Sequence, residues 1–371
     1  MSGPHGPGPL HVVQVLGGGS AGTGAHVRSL SAGLVARGVD VTVCAPQSAQ
    51  RRYDFTGAGA RFVPLPVATR RAGVGILRSV CAGADLVHAH GMRAGLLATL
   101  ARRRRDTLPL VVSWHTRSTA PGVRARVRHV TESWVARAAT VVLGATSDLV
   151  DRARLRGARD ARLAPVGLPG PRPAEPDPAD PASHKLRAEL GVIDRPLLVT
   201  ATRLDRDRAL DVLLTASRAW RGRAPRPLLL IAGDGPGRTA IQRRIDRERL
   251  PVRLLGPCQD PVELLGAADA ALLVVEWAGR APLAQEALRR GVPLVATAVG
   301  GVPELVGEAA VLVPYGDAVA LGAAVRALLG DPDRRAALAA AGRARAGSWP
   351  TEDTTVAQVL SVYDELVPRT Q

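Results

Sequence analysis

The segment GAADAALLVVEWAGRAPLAQEALRRGVPLVATAVGGVPELVG, residues 266–307, determines the fold that the sequence predicts. Its apolar run at 271–275 is long enough for a buried strand and too short for a buried helix. Pro282 suits the first turn of a helix, and Gly291 suits the residue just beyond its end. The apolar run at 293–297 is the next strand, and a pair of glycines follows it. Strand, helix and strand in this order are typical of a parallel sheet covered by helices.

The same alternation fills the chain on both sides of a proline-rich segment. Six prolines between 169 and 181 leave no room for a helix or a central strand, so this segment is predicted to be an extended linker. The predicted strands before it are 10–16, 39–45, 85–90, 110–115 and 140–144, and those after it include 196–201, 227–232, 252–255 and 310–313. The predicted fold class is α/β, with two doubly wound Rossmann-like domains in tandem.

The 371 residues are enough for two domains, each with its own core. The predicted order is a flexible tail at 1–9, a first domain at 10–168, a linker at 169–182, a second domain at 183–347 and a final helical segment at 348–371. The tail is rich in glycine and proline and has no apolar stretch of a signal peptide.

The composition limits the classes of partner. The formal net charge is +16, and all but one of the 49 basic residues are arginine, which favours phosphate groups of nucleotides or of anionic lipids. We see no nucleic-acid-binding motif, and aromatic residues make up only 3% of the chain, so no nucleic-acid partner is predicted. The three cysteines are well separated in the sequence, and no apolar run approaches the length of about 20 residues that spans a bilayer, so the chain is predicted to lie in the cytoplasm. His, Cys and carboxylate residues are not clustered at the spacing of metal ligands, so no metal site is predicted.

A glycine-rich turn follows the first predicted strand. Gly17, Gly18 and Gly19 begin a formal G-x-G-x-x-G sequence that leads into a helix. A nicotinamide dinucleotide site also needs an acidic residue at the end of the second strand, and that strand ends in Val-Cys-Ala-Pro-Gln. An NAD-dependent oxidoreductase is therefore a distant alternative. The glycines permit either a close approach of backbone to a ligand or a simple tight turn.

Charged and titratable side chains follow several predicted strands. Ligands bind at the carboxyl ends of parallel strands, and there we find Arg203 and Arg208 in the second half, and His90 and His115 in the first. The guanidinium group of arginine can donate two parallel hydrogen bonds to a pyrophosphate. Two histidines at equivalent strand ends favour a functional role for these residues over a structural one. Glu286 lies in the first turns of a helix that begins at this edge, so its carboxylate is predicted to face a crevice.

The chain resembles a family 4 glycosyltransferase of the GT-B architecture from about residue 10 to residue 366. The residues that carry the resemblance are Gly17–Gly19, Asp85–His90, Trp114–Thr116, Pro165–Gly167, Ala201–Leu204, Gly233–Pro236, the segment 266–307 and the last helix from Trp349. The resemblance implies a retaining, metal-independent transfer of a sugar from a UDP- or GDP-sugar to an unidentified acceptor. It also implies that the last helix crosses back onto the first domain, and it implies no cofactor besides the donor.

The resemblance assigns roles to individual residues. Glu286 would hold the ribose of the donor, and Arg203 and Arg208 would stabilise the departing diphosphate in place of a metal. His115 would lie beside the transferred sugar, and His90 on the acceptor side. The other implied donor contacts are Gly17, Gly18, Gly19, Gly233, Glu276, Arg280 and Leu283.

The chain departs from the family pattern at the predicted donor site. The family has two glutamates in an E-x7-E arrangement, and Ala278 stands where the first is expected, eight residues before Glu286. Glu276 is a candidate substitute. Pro282 removes a backbone donor near the diphosphate, and Arg208 stands where the family has a lysine. A non-catalytic or altered-activity relative is therefore the alternative function.

A second prediction concerns membranes. Within 123–135, Arg124, Arg126 and Arg128 alternate with valines and Trp134, a pattern that can lie on an anionic bilayer surface. A helix that turns a valine stripe toward the core has the same pattern. Peripheral contact with the inner face of the plasma membrane is thus one of two open interpretations.

Overall fold

The computed structural model describes residues 8–18, 21–66, 70–102, 107–117, 122–167, 181–205, 208–257 and 263–367. Gly19, most of the predicted tail and most of the predicted linker lie outside the described residues. The chain forms two compact units, Met1–Gly170 with Pro350–Gln371, and Pro171–Trp349.

Across the described residues, the first unit contains a seven-stranded parallel sheet of order β3-β2-β1-β4-β5-β6-β7. The strands are β1 His11–Leu16, β2 Asp40–Ala45, β3 Arg61–Pro64, β4 Leu86–His90, β5 Leu110–Trp114, β6 Val141–Gly144 and β7 Ala161–Leu163. Five of the strands, β1, β2, β4, β5 and β6, are short runs buried on both faces, as expected for parallel strands covered by helices. The order reverses at β1, so β1 and β4 adjoin at the position where doubly wound sheets bind ligands.

Helices connect these strands, and one more helix from the end of the chain packs on the same sheet. They are α1 Ala21–Val35, α2 Gln47–Tyr53, α3 Arg70–Cys81, α4 Met92–Ala101, α5 Val123–Ala138, α6 Ser147–Leu155 and the terminal helix α14 Glu352–Leu366. Helix α14 packs against α1 and contributes Val356, Val359, Val362 and Tyr363 to the core of this unit. The last helix therefore belongs to the first unit.

The second unit repeats the plan with six described strands in the order β10-β9-β8-β11-β12-β13. The strands are β8 Leu197–Ala201, β9 Leu228–Ala232, β10 Val252–Gly256, β11 Ala270–Leu273, β12 Leu294–Thr297 and β13 Val311–Val313. The helices are α7 Pro181–Leu190, α8 Arg208–Ser217, α9 Arg238–Glu248, α10 Pro282–Arg289, α11 Val302–Val306, α12 Ala318–Gly330 and α13 Pro332–Gly347. Cores on both faces of the sheet consist mainly of Leu, Val and Ala.

The fold class of two Rossmann-like α/β domains in tandem is confirmed by the two sheets and their strand orders. Helix α10 begins at Pro282, and Gly291 lies beyond its end with φ +65, in the left-handed region that favours glycine. Two details differ from the sequence predictions. Strands β3 and β7 were not predicted, since they have only four and three residues and are partly exposed. Helix α7 begins at Pro181, so residues 181 and 182 are helical and not linker.

Among the described residues, no helix is both long enough and apolar enough to span a bilayer.

Candidate functional site

The loops at the carboxyl ends of β8 and β9 pack tightly against each other. A Cβ on Gly233 would lie 1.9 Å from the carbonyl oxygen of Thr202, and one on Gly235 would lie 2.5 Å from that of Leu204. Leu204 N donates to Asp234 O at 3.0 Å, and Gly237 N donates to Leu204 O at 2.8 Å. The glycines of this loop are therefore required by backbone packing, and they fix the path of the chain that carries Arg203.

The loops after β11 and β12 form a second such pair. Gly301 N donates to Ala278 O at 2.9 Å, and a Cβ on Gly300 would lie 2.5 Å from the same oxygen. Gly300 also has φ +53. The residue that replaces the first glutamate of the family pattern is thus held by its main chain against the glycine pair.

The start of α10 has an unusual backbone. Ala281, the residue before the helix, has φ +40 and ψ +68, a left-handed conformation that costs about 1–2 kcal/mol for a residue with a Cβ. The side-chain amide of Gln285 donates to the carbonyl of Arg280 and so closes the loop onto the helix. Pro282 provides no N–H group, so the first turn of α10 offers one backbone donor fewer to an anion.

Glu286 lies in the middle of α10, and its carboxylate is paired with arginines of the same helix. Arg290 Nε donates to its Oε1 at 3.0 Å, and Arg289 lies 3.8 Å from Oε2. The side chain of Glu286 is 12% exposed. The carboxylate of Glu286 is therefore mostly buried and already bonded to Arg290.

Arg203 and Arg208 are both exposed at this edge of the second sheet. Arg203 forms an ion pair with Asp205 at 3.0 Å, and its side chain is 74% exposed. Arg208 is the first residue of α8, and its guanidinium carbon lies 5.9 Å from the centre of the Tyr315 ring. A Cβ on Gly316, which has φ +87, would come within 2.6 Å of Arg208 Nη2. Arg208 is thus held beside the loop after β13.

The remaining predicted donor contacts separate into two kinds. Glu276 is exposed in the loop after β11, and Arg280 is half-buried in the same loop. Leu283 packs in the core of the unit and is 8% exposed, so any ligand contact there would come from its main chain.

In the first unit, the described glycines of the turn after β1 have structural reasons of their own. A Cβ on Gly17 would lie 2.8 Å from the backbone nitrogen of Ala94 in α4. Gly18 has φ +85, with open space around the position of a Cβ. Gly17 is required by helix packing and Gly18 by backbone conformation, so neither glycine by itself indicates a ligand.

Gln14 and Tyr363, which the sequence does not mark as site residues, organise the interior of the first sheet at its carboxyl edge. Gln14 Nε2 donates to Tyr363 Oη at 2.9 Å, and Gln14 Oε1 lies 2.6 Å from His90 Nε2. An amide oxygen only accepts, so His90 carries its proton on Nε2. His90 Nδ1, 3.3 Å from His115 Nε2, then accepts from a proton on that nitrogen. The chain of hydrogen bonds from α14 therefore determines the tautomer of His115.

A branch of the same network holds His88. Tyr363 Oη lies 2.5 Å from His88 Nδ1, and His88 Nε2 lies 2.7 Å from Ser113 Oγ. Tyr363 Oη accepts from Gln14 and also contacts His88 Nδ1, so both ring nitrogens of His88 have a hydroxyl partner that can donate or accept. Each of these groups is neutral in this arrangement.

Burial keeps the histidines uncharged. Burial lowers the pKa of His88 to about 3, and the neighbouring His115 makes a smaller contribution in the same direction. Burial holds the pKa of His90 well below its ordinary value. The nearby histidines add smaller contributions in the same direction: His88, His115 and His26. Burial also raises the pKa of the Tyr363 hydroxyl. His88, His90 and Tyr363 are thus neutral and hydrogen-bonded around pH 7.

His90 is 1% exposed, and each of its ring nitrogens has a hydrogen-bond partner. The sequence places His90 at a strand end on the acceptor side, and the structure buries its ring in the interior. Gln14, a polar residue of the adjacent apolar strand β1, holds the His90 ring there, because its Oε1 accepts a hydrogen bond from His90 Nε2. His115 is 8% exposed and lies closer to the surface.

Two families match the chain in sequence: "Glycosyl transferase 4-like domain" over residues 21–169 and "Glycosyl transferases group 1" over residues 195–331. The D-inositol 3-phosphate glycosyltransferase of Xylanimonas cellulosilytica is 29% identical over 95% of this chain and 93% of that protein. The enzyme of the same name from Salinispora tropica is 32% identical over 79% of this chain and 67% of that protein. A third relative matches over about half its length: a GDP-mannose-dependent phosphatidylinositol monomannoside mannosyltransferase of Mycolicibacterium smegmatis is 34% identical over 50% of this chain and 52% of that protein.

A solved structure agrees in fold. HepE of Anabaena in complex with UDP superposes with a TM-score of 0.78 over 96% of this chain and all of that chain, at 19% identity. The fold and the sequence matches together define a glycosyltransferase. The chain belongs to the group 1 glycosyltransferases, with a glycosyl transferase 4-like first domain. The family predicted from the sequence is confirmed.

Proposed function

We propose that the protein transfers a sugar from a UDP- or GDP-sugar to an acceptor with retention of configuration at the anomeric carbon, and without a metal. The observation that carries the proposal is the arrangement at the carboxyl edge of the second sheet. There Arg203 and Arg208 are exposed on packed loops, and Glu286 lies in the helix that follows. Guanidinium groups at such an edge can neutralise the charge of a departing diphosphate, which is the role of a metal in other transferases.

In this proposal the side chains have separate tasks. Arg208 is held beside Tyr315 and Gly316 and supplies a positioned charge, while Arg203 can leave Asp205 for a phosphate. Glu286 binds the ribose hydroxyls when Arg290 gives up one carboxylate oxygen. His115 Nε2 donates a hydrogen bond to His90 Nδ1. The proposal assigns His115 to the side of the transferred sugar.

The direct test is binding and turnover with a panel of donors. Isothermal titration with UDP, GDP and their glucose and mannose derivatives should detect one site, and Arg208→Ala should weaken it. Arg334→Ala, on the exposed start of α13, is the matched control. Absence of nucleotide binding at millimolar concentration would overturn the proposal.

An acceptor panel should begin with D-inositol 3-phosphate and phosphatidylinositol mannosides, because relatives with matching sequence are named for these acceptors.

The alternative is a relative with altered or no activity. Ala278 replaces a glutamate, Pro282 removes a backbone donor, and the carboxylate of Glu286 is engaged by arginines. Ala278→Glu separates the two cases through donor hydrolysis, measured beside Ala310→Glu, a half-buried alanine after α11, as the control. If the natural protein turns over no donor and Ala278→Glu changes neither binding nor hydrolysis, the altered-activity alternative is correct.

We also propose peripheral contact with an anionic membrane, at the inner face of the plasma membrane in the cytoplasm. Helix α5 presents Val123, Val127, Val130 and Trp134 at the spacing of one helix face, and they are 75%, 62%, 67% and 48% exposed. The core-facing interpretation of this valine stripe is therefore wrong. Arg126 and His129 are exposed next to it.

An exposed apolar stripe beside basic groups has the chemistry that lies in a headgroup layer. The opposite side of α5 is held by the buried Glu132, which pairs with Arg152 and Arg156 near α6, so the helix is anchored without using the stripe. Co-sedimentation with vesicles of phosphatidylcholine alone and with phosphatidylserine added, at low and high salt, tests the contact. Equal recovery on both vesicles would contradict it.

A further inference from the structure

Three buried histidines converge at the carboxyl edge of the first sheet. His26 comes from α1, His90 ends β4, and His115 follows β5. One ring nitrogen from each lies within 4.8 Å of the others, and this is the one group of potential metal ligands found among the described residues. The sequence predicts no metal cluster, because His26 is far from His90 and His115 in the chain and only the fold brings the three together.

The distances suit coordination. His90 Nδ1 and His115 Nε2 are 3.3 Å apart. Zinc–nitrogen bonds are about 2.0–2.1 Å long, so two nitrogens of a tetrahedral site are separated by roughly 3.3–3.4 Å. The His26 ring lies edge-on to both, with ring centres 5.7 Å from His90 and 5.2 Å from His115. A ring nitrogen of His26 lies within 4.8 Å of the ring nitrogens of the other two, so the third ligand is already at the site.

The chemistry of the three groups also suits a borderline metal. Neutral imidazole is the form that binds a metal, and all three rings are buried. The hydrogen bond from His90 Nε2 to Gln14 Oε1 leaves Nδ1 directed at the other histidines. Metal-bound histidines characteristically donate their second ring N–H to such an oxygen, which fixes the ring. Gln14 is itself held by Tyr363.

We propose that His26, His90 and His115 form a three-histidine binding site for Zn²⁺. On binding, the hydrogen bond between His90 and His115 is replaced by two bonds to the ion, and the His115 proton moves from Nε2 to Nδ1 through solvent. A remaining coordination position is open to water or an anion. The site shares His90 and His115 with the transfer proposed above, and separate measurements distinguish the two proposals: metal titration tests this site, and nucleotide titration tests the transfer.

The test measures metal binding and not activity. Isothermal titration of the metal-stripped, reduced full chain with Zn²⁺ should give one site with micromolar or tighter affinity. His26→Gln, which lies outside the proposed transfer machinery, should weaken binding by roughly tenfold or more, since even second-shell changes cost about 10–100-fold. His129→Gln, an exposed histidine of α5, is the matched control and should bind as the natural protein does.

Cobalt supplies a second measurement that does not depend on a variant folding. Co²⁺ bound to the natural protein should show the visible ligand-field bands of tetrahedral nitrogen coordination, and Zn²⁺ should displace it. No Zn²⁺ binding at micromolar concentration, equal affinity in His26→Gln, or a thiolate charge-transfer band from a cysteine site would each overturn the proposal.

Discussion

Gln14 in strand β1 and Tyr363 in the last helix are joined by a buried hydrogen bond of 2.9 Å, although 349 residues separate them. Tyr363 is 0% exposed, and its hydroxyl also meets His88. The hydroxyl is therefore the point at which the C-terminal helix engages the histidines of the first sheet. Its loss would leave both partners buried without this bond.

We expect Tyr363→Phe to lower the free energy of unfolding by about 1–3 kcal/mol, the cost of leaving buried polar groups unsatisfied. Leu155→Ala, at an 80% exposed position of the same unit, is the control and should change the free energy of unfolding by less than about 0.5 kcal/mol. Urea titration followed by circular dichroism at pH 7.5 measures both. Similar midpoints for the two variants would show that the hydroxyl does not hold α14.

Glu132 gives a second stability prediction. Its side chain is 6% exposed and forms ion pairs with Arg152 at 2.8 Å and Arg156 at 3.0 Å, with Arg128 at 3.8 Å. Glu132→Ala leaves these partly buried arginines without their shared carboxylate, and breaking a buried pair costs about 3–5 kcal/mol. We expect a loss of about 3 kcal/mol in urea titration.

Glu189→Ala is the matched control, because Glu189 is 62% exposed and lies 4.0 Å from Lys185. Exposed pairs contribute about 0–1 kcal/mol. If Glu132→Ala is as mild as Glu189→Ala, α5 is not anchored through its glutamate.

Gly233 tests the loop packing at the proposed donor site. A Cβ there would collide with the carbonyl oxygen of Thr202, which is backbone and cannot rotate away. Gly233→Ala should therefore shift the loop that carries Arg203 and weaken UDP or GDP binding by roughly tenfold, which corresponds to about 1.4 kcal/mol. Gly222→Ala, with no atom within 4 Å of the added Cβ, should bind nucleotide normally. Titration of both variants decides the point, and equal affinities would place the nucleotide away from this loop.

The sequence predicted the regular parts of the fold because local patterns determine them. Apolar runs of about five residues became buried strands, and Pro282 and Gly291 mark the ends of α10 as expected. The ends of short, half-exposed strands such as β3 depend on tertiary packing, and their sequences show no clear alternation.

The candidate site was less predictable, for physical reasons that differ between residues. Gln14 could have been noticed as a polar residue inside an apolar strand, and His88 shares a strand face with His90 by alternation. His26 could not, since its meeting with His115 is created by the fold. The pairing of Glu286 with Arg290 follows the i, i+4 spacing and was available from the sequence. The catalytic and donor-binding roles assigned from the resemblance remain predictions.

The exposed stripe of α5 leads to a further prediction about membranes. Val127→Asp replaces an exposed apolar side chain, so the fold should be unaffected, while the contact with a bilayer loses its burial and gains a repelled charge. Burying a valine contributes about 1.5–3 kcal/mol, so binding to phosphatidylserine vesicles should fall roughly tenfold or more. Val319→Asp, on α12 and 82% exposed, carries the same change of charge outside the stripe. Co-sedimentation that falls equally for both variants would indicate a general charge effect and not docking by α5.

Arg208 provides the most direct test of the proposed chemistry. Its guanidinium is held beside Tyr315 and Gly316, so it needs little reorganisation to meet a departing diphosphate. Removing one positioned donor of transition-state charge commonly costs about 100- to 1,000-fold in kcat, and we expect Arg208→Ala to fall in this range. Arg208→Lys keeps the charge and loses the fork, so its kcat should lie between that of Arg208→Ala and the natural enzyme. Steady-state kinetics with the best donor measures both, with Arg334→Ala as the control. A change confined to KM in Arg208→Ala would mean that Arg208 binds the donor equally in the ground state and the transition state, which contradicts a role in stabilising the leaving group.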